Sequence, residues 1–477
     1  MALVHNNLGQ NLLEGCCQEA ARVQTVTREL EHLRMALPLQ YHAHMILLID
    51  GLQTTRHRLG DIIDSSQLYM IRVEVIIEYL NIVLPCLQRT LMDIERYYND
   101  KTRSKINRWR AMYHEMGDEL PGTTLPSRFI MYSQFLELLG LLLTKSPNFN
   151  MNTLYSLEHR IMQLREVRNI PPPSPIERPV LMWHDSVEFW EEQTNSHWAE
   201  SIFTRLPPTH TILEEPKNPI SQAFGPFQRL GQPLISPAAK ILVKRSFNDE
   251  QLSVTFFLEG YDDIPHVFVR TVTGGQPWVS VLGAHNLCIS RHDNATLNLT
   301  RWSLNERRSK IWAALKFITY EEMVLFYCTF ICLKARSTQT MNMDPLENSI
   351  RFERRPCSAT IHDDGFHHTL SVYKDTYTGR CRLHATVHDG DLKGCPVWTA
   401  FLPTWSVRSR PGWLITSRQT NARNKIRIRN IYPYIFCESY RAHNQRKGRR
   451  GDFELCFATE SGMYILGDEA VLMLKIT

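Results

Sequence analysis

Lys240–Lys244 (KILVK), Leu252–Leu258 (LSVTFFL), His266–Val272 (HVFVRTV), Trp278–Leu282 (WVSVL), Leu287–Arg291 (LCISR), Thr296–Trp302 (TLNLTRW) and Trp312–Ile318 (WAALKFI) follow one another and end in Thr319–Ala335 (TYEEMVLFYCTFICLKA). The first seven runs are short, rich in β-branched and aromatic residues, and separated by turn residues such as Asn248-Asp249-Glu250 and Gly274-Gly275. That is the pattern of antiparallel strands in a compact barrel or sandwich. The eighth run loses the turn signals, and Thr319 before Glu321 and Glu322 supplies an N-cap and first-turn acids. A helix is predicted to close the strands.

Seven antiparallel strands and then a helix is the element order of the pleckstrin-homology-like barrel, which the stretch from Lys240 to Arg336 resembles. The resemblance implies a bent sheet plugged at one end by the helix. It names no ligand, since barrels of that shape bind peptides, phosphoinositides or neither. A phosphoinositide headgroup asks for cations on the first two strands and their loop. Here Lys240, Lys244 and Arg245 precede the acidic loop Asn248-Asp249-Glu250, and Leu252–Leu258 holds no Arg or Lys. A peptide-binding or purely structural barrel is expected.

Upstream, from Leu12 to about Arg168, apolar residues recur at three and four, as in Leu80, Val83, Leu84, Leu87, Leu91 and Ile94. This is helical periodicity and predicts an all-helical bundle. Within the helical pattern of Ser66–Tyr98, Pro85 lacks an amide donor, so a kink or break, or equally two consecutive helices, is expected there. Between the bundle and the barrel, residues 171 to 237 hold twelve of the 25 prolines. That composition makes a linker. Inside it Val187–Leu206 reads as an amphipathic helix whose bulky residues, Phe189, Trp190, Trp198, Ile202 and Phe203, are candidates for partner binding, although docking on their own protein is the expected use.

Downstream, Ser358–His362, Thr369–Tyr373, Arg382–His388, Lys425–Arg429, Ile435–Tyr440, Phe453–Ala458 and Ala470–Ile476 read as strands without a convincing closing helix. From Arg418 to Arg450 ten basic residues face one acid, Glu438, the strongest local charge bias in the chain. Lys425, Arg427 and Arg429 share one face if they lie on a strand, next to Arg446, Lys447, Arg449 and Arg450, and such a surface would bind anionic lipid. Its plainer use is a solvated edge that resists aggregation. Two histidines, His384 and His388, are weak metal candidates within a group that also holds His362, Asp363, Asp364, His367, His368, Asp389 and Asp391. Turn chemistry accounts for Asp363-Asp364-Gly365 and His388-Asp389-Gly390-Asp391.

Several segments together resemble a broad family of filamentous-fungal proteins with a helical N-terminal module and pleckstrin-homology-like C-terminal domains. They include Leu84-Pro85-Cys86-Leu87-Gln88-Arg89-Thr90-Leu91, Trp109-Arg110-Ala111-Met112-Tyr113-His114, Ser196-His197-Trp198-Ala199-Glu200 and Tyr320-Glu321-Glu322-Met323-Val324-Leu325-Phe326. The resemblance implies an arrangement of modules and brings no reaction, cofactor or catalytic residue.

The expected architecture is therefore α+β and multidomain: a helical bundle over 1–170, a Pro-rich linker over 171–238, a barrel with closing helix over 239–337, a short linker over 338–348, and a second β-rich domain over 349–477, for which another such barrel is one reading. With 477 residues, 43% of them hydrophobic, the chain has material for several cores. A net charge of +5 does not describe a nucleic-acid coat. Residues 1–10 carry no secretory pattern, and the longest uncharged apolar run, Met323–Leu333, is too short to span a bilayer, so an intracellular location, cytoplasmic or nuclear, is expected. In that setting the eleven cysteines are reduced thiols and the sequons at Asn294 and Asn298 are idle. Neither a nucleophile elbow nor a phosphate or dinucleotide loop is present. We expect a non-enzymatic scaffold or adaptor that binds a protein partner without a cofactor; an anionic-membrane binder is the alternative and a metal-dependent enzyme the remote one. Self-association of the helical module is left open.

Overall fold

The structure, a computed structural model, describes residues 2–464 except 118, 120–122, 174–195, 208–209, 214–219, 232–234, 236–238, 261–262, 304, 342, 403–413, 416–423, 430 and 448–450. Its chain forms two compact units. One comprises 1–194, 227–239 and 270–280, and the other 195–226, 240–269 and 281–477.

Among the described residues, six α-helices lie in the first unit: α1 (Ala2–Met35), α2 (His42–Leu68), α3 (Val73–Asn99), α4 (Lys105–Gly117), α5 (Leu125–Leu143) and α6 (Met151–Val167). Local chemistry sets their ends. The Thr124 hydroxyl accepts from the Ser127 amide with Pro126 in the first turn of α5, and Asn150 accepts from the Thr153 amide at the start of α6. The α3 stripe read from the sequence is the core: Leu80, Val83, Leu87, Leu91 and Ile94 are fully buried. Where α2 crosses α5, a Cβ on Gly51 would come within 3.0 Å of the Phe129 Cβ, so glycine sets how closely these helices approach. Among the described residues α3 is the single helix long and apolar enough to cross a membrane, and 61% of its apolar window is buried inside the protein.

The expected break at Pro85 is absent. α3 runs through it, and the interruption lies earlier, at the 3-10 turn Met70–Arg72. The physical reason is Arg165 on α6. Pro85 has no amide for the carbonyl of Asn81, four residues back, and the Arg165 guanidinium donates to that carbonyl at 3.0 Å and to the Ile82 carbonyl at 2.9 Å. A side chain from another helix replaces the missing donor.

In chain order, the elements after the helices are α7 (Trp198–Ser201), β1 (Gln222–Ala223), β2 (Gln228–Arg229), β3 (Lys240–Phe247), β4 (Leu252–Glu259), β5 (Ile264–Thr273), β6 (Gln276–Gly283), β7 (Leu287–Arg291), β8 (Thr296–Ser303), β9 (Arg308–Lys316) and α8 (Tyr320–Arg336). All seven expected strands of the first β domain are present, as β3 to β9, and α8 closes them. They form antiparallel sheets ordered β2-β6-β5-β4-β3 and β1-β9-β8-β7. Gly274 and Gly275 take φ of 59° and 77°, the left-handed pair that a two-residue hairpin between β5 and β6 requires. Thr319 caps α8 by accepting from the Glu322 amide.

The second β domain contains β10 (Glu353–Asp363), β11 (Phe366–Asp375), β12 (Cys381–Val387), β13 (Pro396–Phe401), β14 (Leu414–Ile415), β15 (Lys425–Ile428), β16 (Tyr434–Ile435), β17 (Arg446–Lys447) and β18 (Asp452–Phe457). Their sheet runs β14-β15-β18-β10-β11-β12-β13-β16, with β17 on β18. β13 was not expected from the sequence, and Ile435–Tyr440 contributes only its first residue, with Tyr434, to a strand. Residues 460–464 are helical, and the expected strand Ala470–Ile476 lies outside the described residues.

Unlike an amphipathic plug, α8 is buried nearly all round, from Tyr320 to Lys334. One side serves the first domain, where Phe256 packs on Phe326 and Phe330. The other serves the second, where the Cys332 thiol lies 3.3 Å from the Pro396 carbonyl and Tyr320 packs against Phe401. A helix apolar on every face belongs between two cores. Buried polar contacts join the same domains: Arg291 on β7 meets Asp375 at 2.5 Å with both side chains fully buried, and Glu353, held by Arg382 of its own domain at 2.7 and 2.9 Å, also accepts the Tyr320 hydroxyl of α8 at 2.5 Å. Glu347, in the connection, accepts Lys334 at 2.6 Å and the Ile289 amide at 2.9 Å.

Candidate functional site

A cleft of about 800 Å³ opens between the two β domains of this second unit. Its first-domain wall is Leu258 at the end of β4, Asp263 and Pro265 at the start of β5, and Cys332, Leu333 and Arg336 on α8. Opposite stand Phe366, His367 and His368 of β11, the turn residues His388 and Asp389, and Val397 of β13. His197 with Trp198, and Cys437 to Tyr440, complete it. The hairpin β10–β11 reverses at Asp364-Gly365, with φ of 48° and 85°, and this tight turn puts His367 and His368 at the cleft.

Its polar groups are held differently. The Tyr440 hydroxyl donates to Asp363 at 2.9 Å, as does the indole of Trp398 at the same distance. Burial first, and then the Asp363 charge, push the Tyr440 phenol far above its ordinary range. His368 is buried, and its Nδ1 has no hydrogen-bond partner; the nearest carboxylate oxygen, on Asp363, is 3.9 Å away. Burial holds His197 below its ordinary pKa, and its ring accepts from the Ala199 amide to cap α7. Burial also raises the Cys332 thiol. Cys332 and Cys395 have their sulfurs 3.8 Å apart. The hydrogen bond from Cys332 instead lowers the Cys395 thiol against the opposing effect of burial.

The metal candidates part company. His384 is buried on β12, edge-on to Tyr373, and burial, with Arg382 second, pushes its pKa well below 6.5. His388 is exposed in the cleft and bonds Thr369 at 2.8 Å. No group of three or more potential ligands for a metal ion occurs among the described residues. Two acids of the His/Asp group have structural work: Asp363 is a buried acceptor, and Asp364 accepts from the Arg441 amide and from Asn444, each at 2.7 Å.

Lys425 and Arg427 do lie on one face of β15, alternating with buried Ile426 and Ile428. That face carries its own acids, however. Glu454 on β18 pairs with Lys425 and Arg427, both at 2.9 Å, and Asp452 lies 3.9 Å from Arg429. Arg446 donates to the carbonyls of Gly451 and Ile431, while Lys447 is exposed. Arg449 and Arg450 lie outside the described residues. The acids were legible only once β15 had been paired with β18.

Within the described part of 187–206, α7 is four residues long rather than an extended amphipathic helix. Ile202 is 2% exposed, and Trp198 and Phe203 pack partly buried against the same core. Arg336 and Arg245 sit over the rings of Trp198 and Phe203. These three side chains are engaged by their own unit; Phe189 and Trp190 lie outside the described residues.

With this geometry in hand, comparison with known families is informative. Residues 229–351 match a family described as a PH domain found in tandem in fungal proteins, and residues 354–464 match a second family of the same description. No curated protein and no solved structure matches the chain.

Proposed function

Since the C-terminal half of this chain carries tandem PH domains of the kind found in fungal proteins, we propose that the protein is a non-enzymatic intracellular scaffold or adaptor whose helical and PH modules bind protein partners. The observation that carries the reading is the disposition of charge where a PH domain would take a phosphoinositide. The first hairpin of the first domain turns through acids, Asp249 and Glu250. Lys240 pairs with Glu200 at 2.9 Å, and Arg245 pairs with Glu322. In that domain phosphate would meet carboxylates at the turn and cations already neutralised. The two domains also share α8 and the buried Arg291–Asp375 pair, which suits a rigid platform that presents side chains from both.

Cross-linking of the full-length protein to its partners, followed by mass spectrometry, tests the proposal. Reproducible cross-links from the PH or helical module to another protein are expected, and a protein that remains a monomer without them refutes it. A second reading, attachment to an anionic membrane through residues 418–450, keeps the support of ten basic residues against one acid and of exposed Lys447. It requires sedimentation with phosphatidylserine vesicles at low salt that fades as salt is raised.

A further inference from the structure

The cleft between the two β domains has a composition that selects its occupant. Its apolar surface comes from Leu258, Leu333, Leu392 and Val397, with Trp198 and Phe366 adding aromatic faces. Its charge is acidic: Asp263, Asp389 and Glu438, on three separate segments, are all exposed. Arg336 donates to the Phe436 carbonyl and stacks on Trp198, so its guanidinium is engaged in the wall. Beside these stands His368, 5% exposed, with Nδ1 lacking a hydrogen-bond partner.

We propose that this cleft binds a protein segment in which a lysine or arginine neighbours a bulky apolar side chain. The inference rests on the scaffold reading and names the partner chemistry for it. An apolar side chain would bury against the leucines and the aromatic faces, where most of the affinity of such a site arises. A neighbouring cation would reach the carboxylates at the mouth, which set sign and register. Phosphorylated or acidic segments are disfavoured by the three carboxylates. A cavity of about 800 Å³ is large enough for several side chains.

The test uses the full-length protein and a fluorescein-labelled peptide alternating lysine with leucine, read by anisotropy. Controls replace lysine by glutamate or leucine by serine. The lysine–leucine peptide binds; the glutamate peptide does not; the serine peptide binds roughly tenfold more weakly. Asp389→Lys combined with Glu438→Lys changes exposed residues only and weakens the lysine–leucine peptide by about tenfold or more. An unchanged circular dichroism spectrum shows that this variant is folded. Equal binding by the glutamate or serine peptide, full binding by the double variant, or displacement of the peptide by equimolar spermidine overturns the proposal. Partner cross-links that persist in the double variant also sink it while leaving the scaffold reading intact; their absence from the unmodified protein sinks the scaffold reading itself.

Discussion

Replacing Arg165 by methionine probes how α3 survives its proline. The substitution keeps an apolar stem and removes the donors to the carbonyls of Asn81, Ile82 and Pro171. Ile82 retains the amide of Cys86 within the helix, so the carbonyl left without a helical donor is that of Asn81, opposite Pro85. A charged donor contributes about 1.5–3 kcal/mol at a buried acceptor such as the Ile82 carbonyl, and less at the part-buried Asn81 carbonyl. Relief from burying the guanidinium, which desolvation holds below its ordinary pKa, offsets part of this. A net loss of about 2–3 kcal/mol is expected. Urea unfolding of the full-length protein at 222 nm reads the loss, and hydrogen exchange over 73–99 locates it. Combining Arg165→Met with Pro85→Ala returns an amide to Asn81. The two changes should therefore couple by about 1–2 kcal/mol in a double-mutant cycle. If Arg165→Met costs less than about 0.5 kcal/mol, or the cycle shows no coupling, Arg165 is not the substitute donor.

Three further outcomes follow from buried and paired charges. Arg291→Met strands the fully buried Asp375 and should cost about 3–5 kcal/mol, with most of the loss recovered by adding Asp375→Asn; thermal denaturation of the single and double variants measures both. His384 is neutral in the fold because its pKa is depressed, whereas the unfolded chain gains a proton below about pH 6.5. Its contribution is thus complete above that pH and lost as pH falls, by up to about 1.4 kcal/mol per unit. The His384→Gln variant should lose this part of the slope between urea midpoints at pH 7.5 and 5.5, and an unaltered slope would assign the effect elsewhere. Glu454→Gln uncovers Lys425 and Arg427, so it should raise sedimentation with phosphatidylserine vesicles at low salt; no increase would show that Glu454 does not mask the strand.

Period and turn chemistry were enough to read β3 to β9, the α8 cap and the core stripe of α3, because each depends on neighbours within a few residues. Other features depend on distant partners. Pro85 signals a break in any local reading, and only the arrival of Arg165 cancels it. Pro396–Phe401 begins with a proline and has no alternation, since every residue is buried; strands covered on both faces lose period two. The apolar run on all sides of α8 was visible as Met323–Leu333, yet its meaning, a second core on the far side, required the other domain. The cleft was least legible. It gathers residues from His197 to Tyr440, and its histidines looked like turn chemistry because the hairpins that converge them are set by long-range pairing.

Glu353 lies between the two matched stretches, one ending at residue 351 and the other beginning at 354. It nevertheless receives a hydroxyl from α8 and a guanidinium from β12. The border that sequence comparison draws is therefore a physical seam, closed by the buried Arg291–Asp375 pair and by the Tyr320 hydroxyl on Glu353. Cutting there would leave Arg291 and Asp375 on opposite fragments. Inheritance as a pair, without shuffling of the halves, is the expected evolutionary consequence of such mutual dependence.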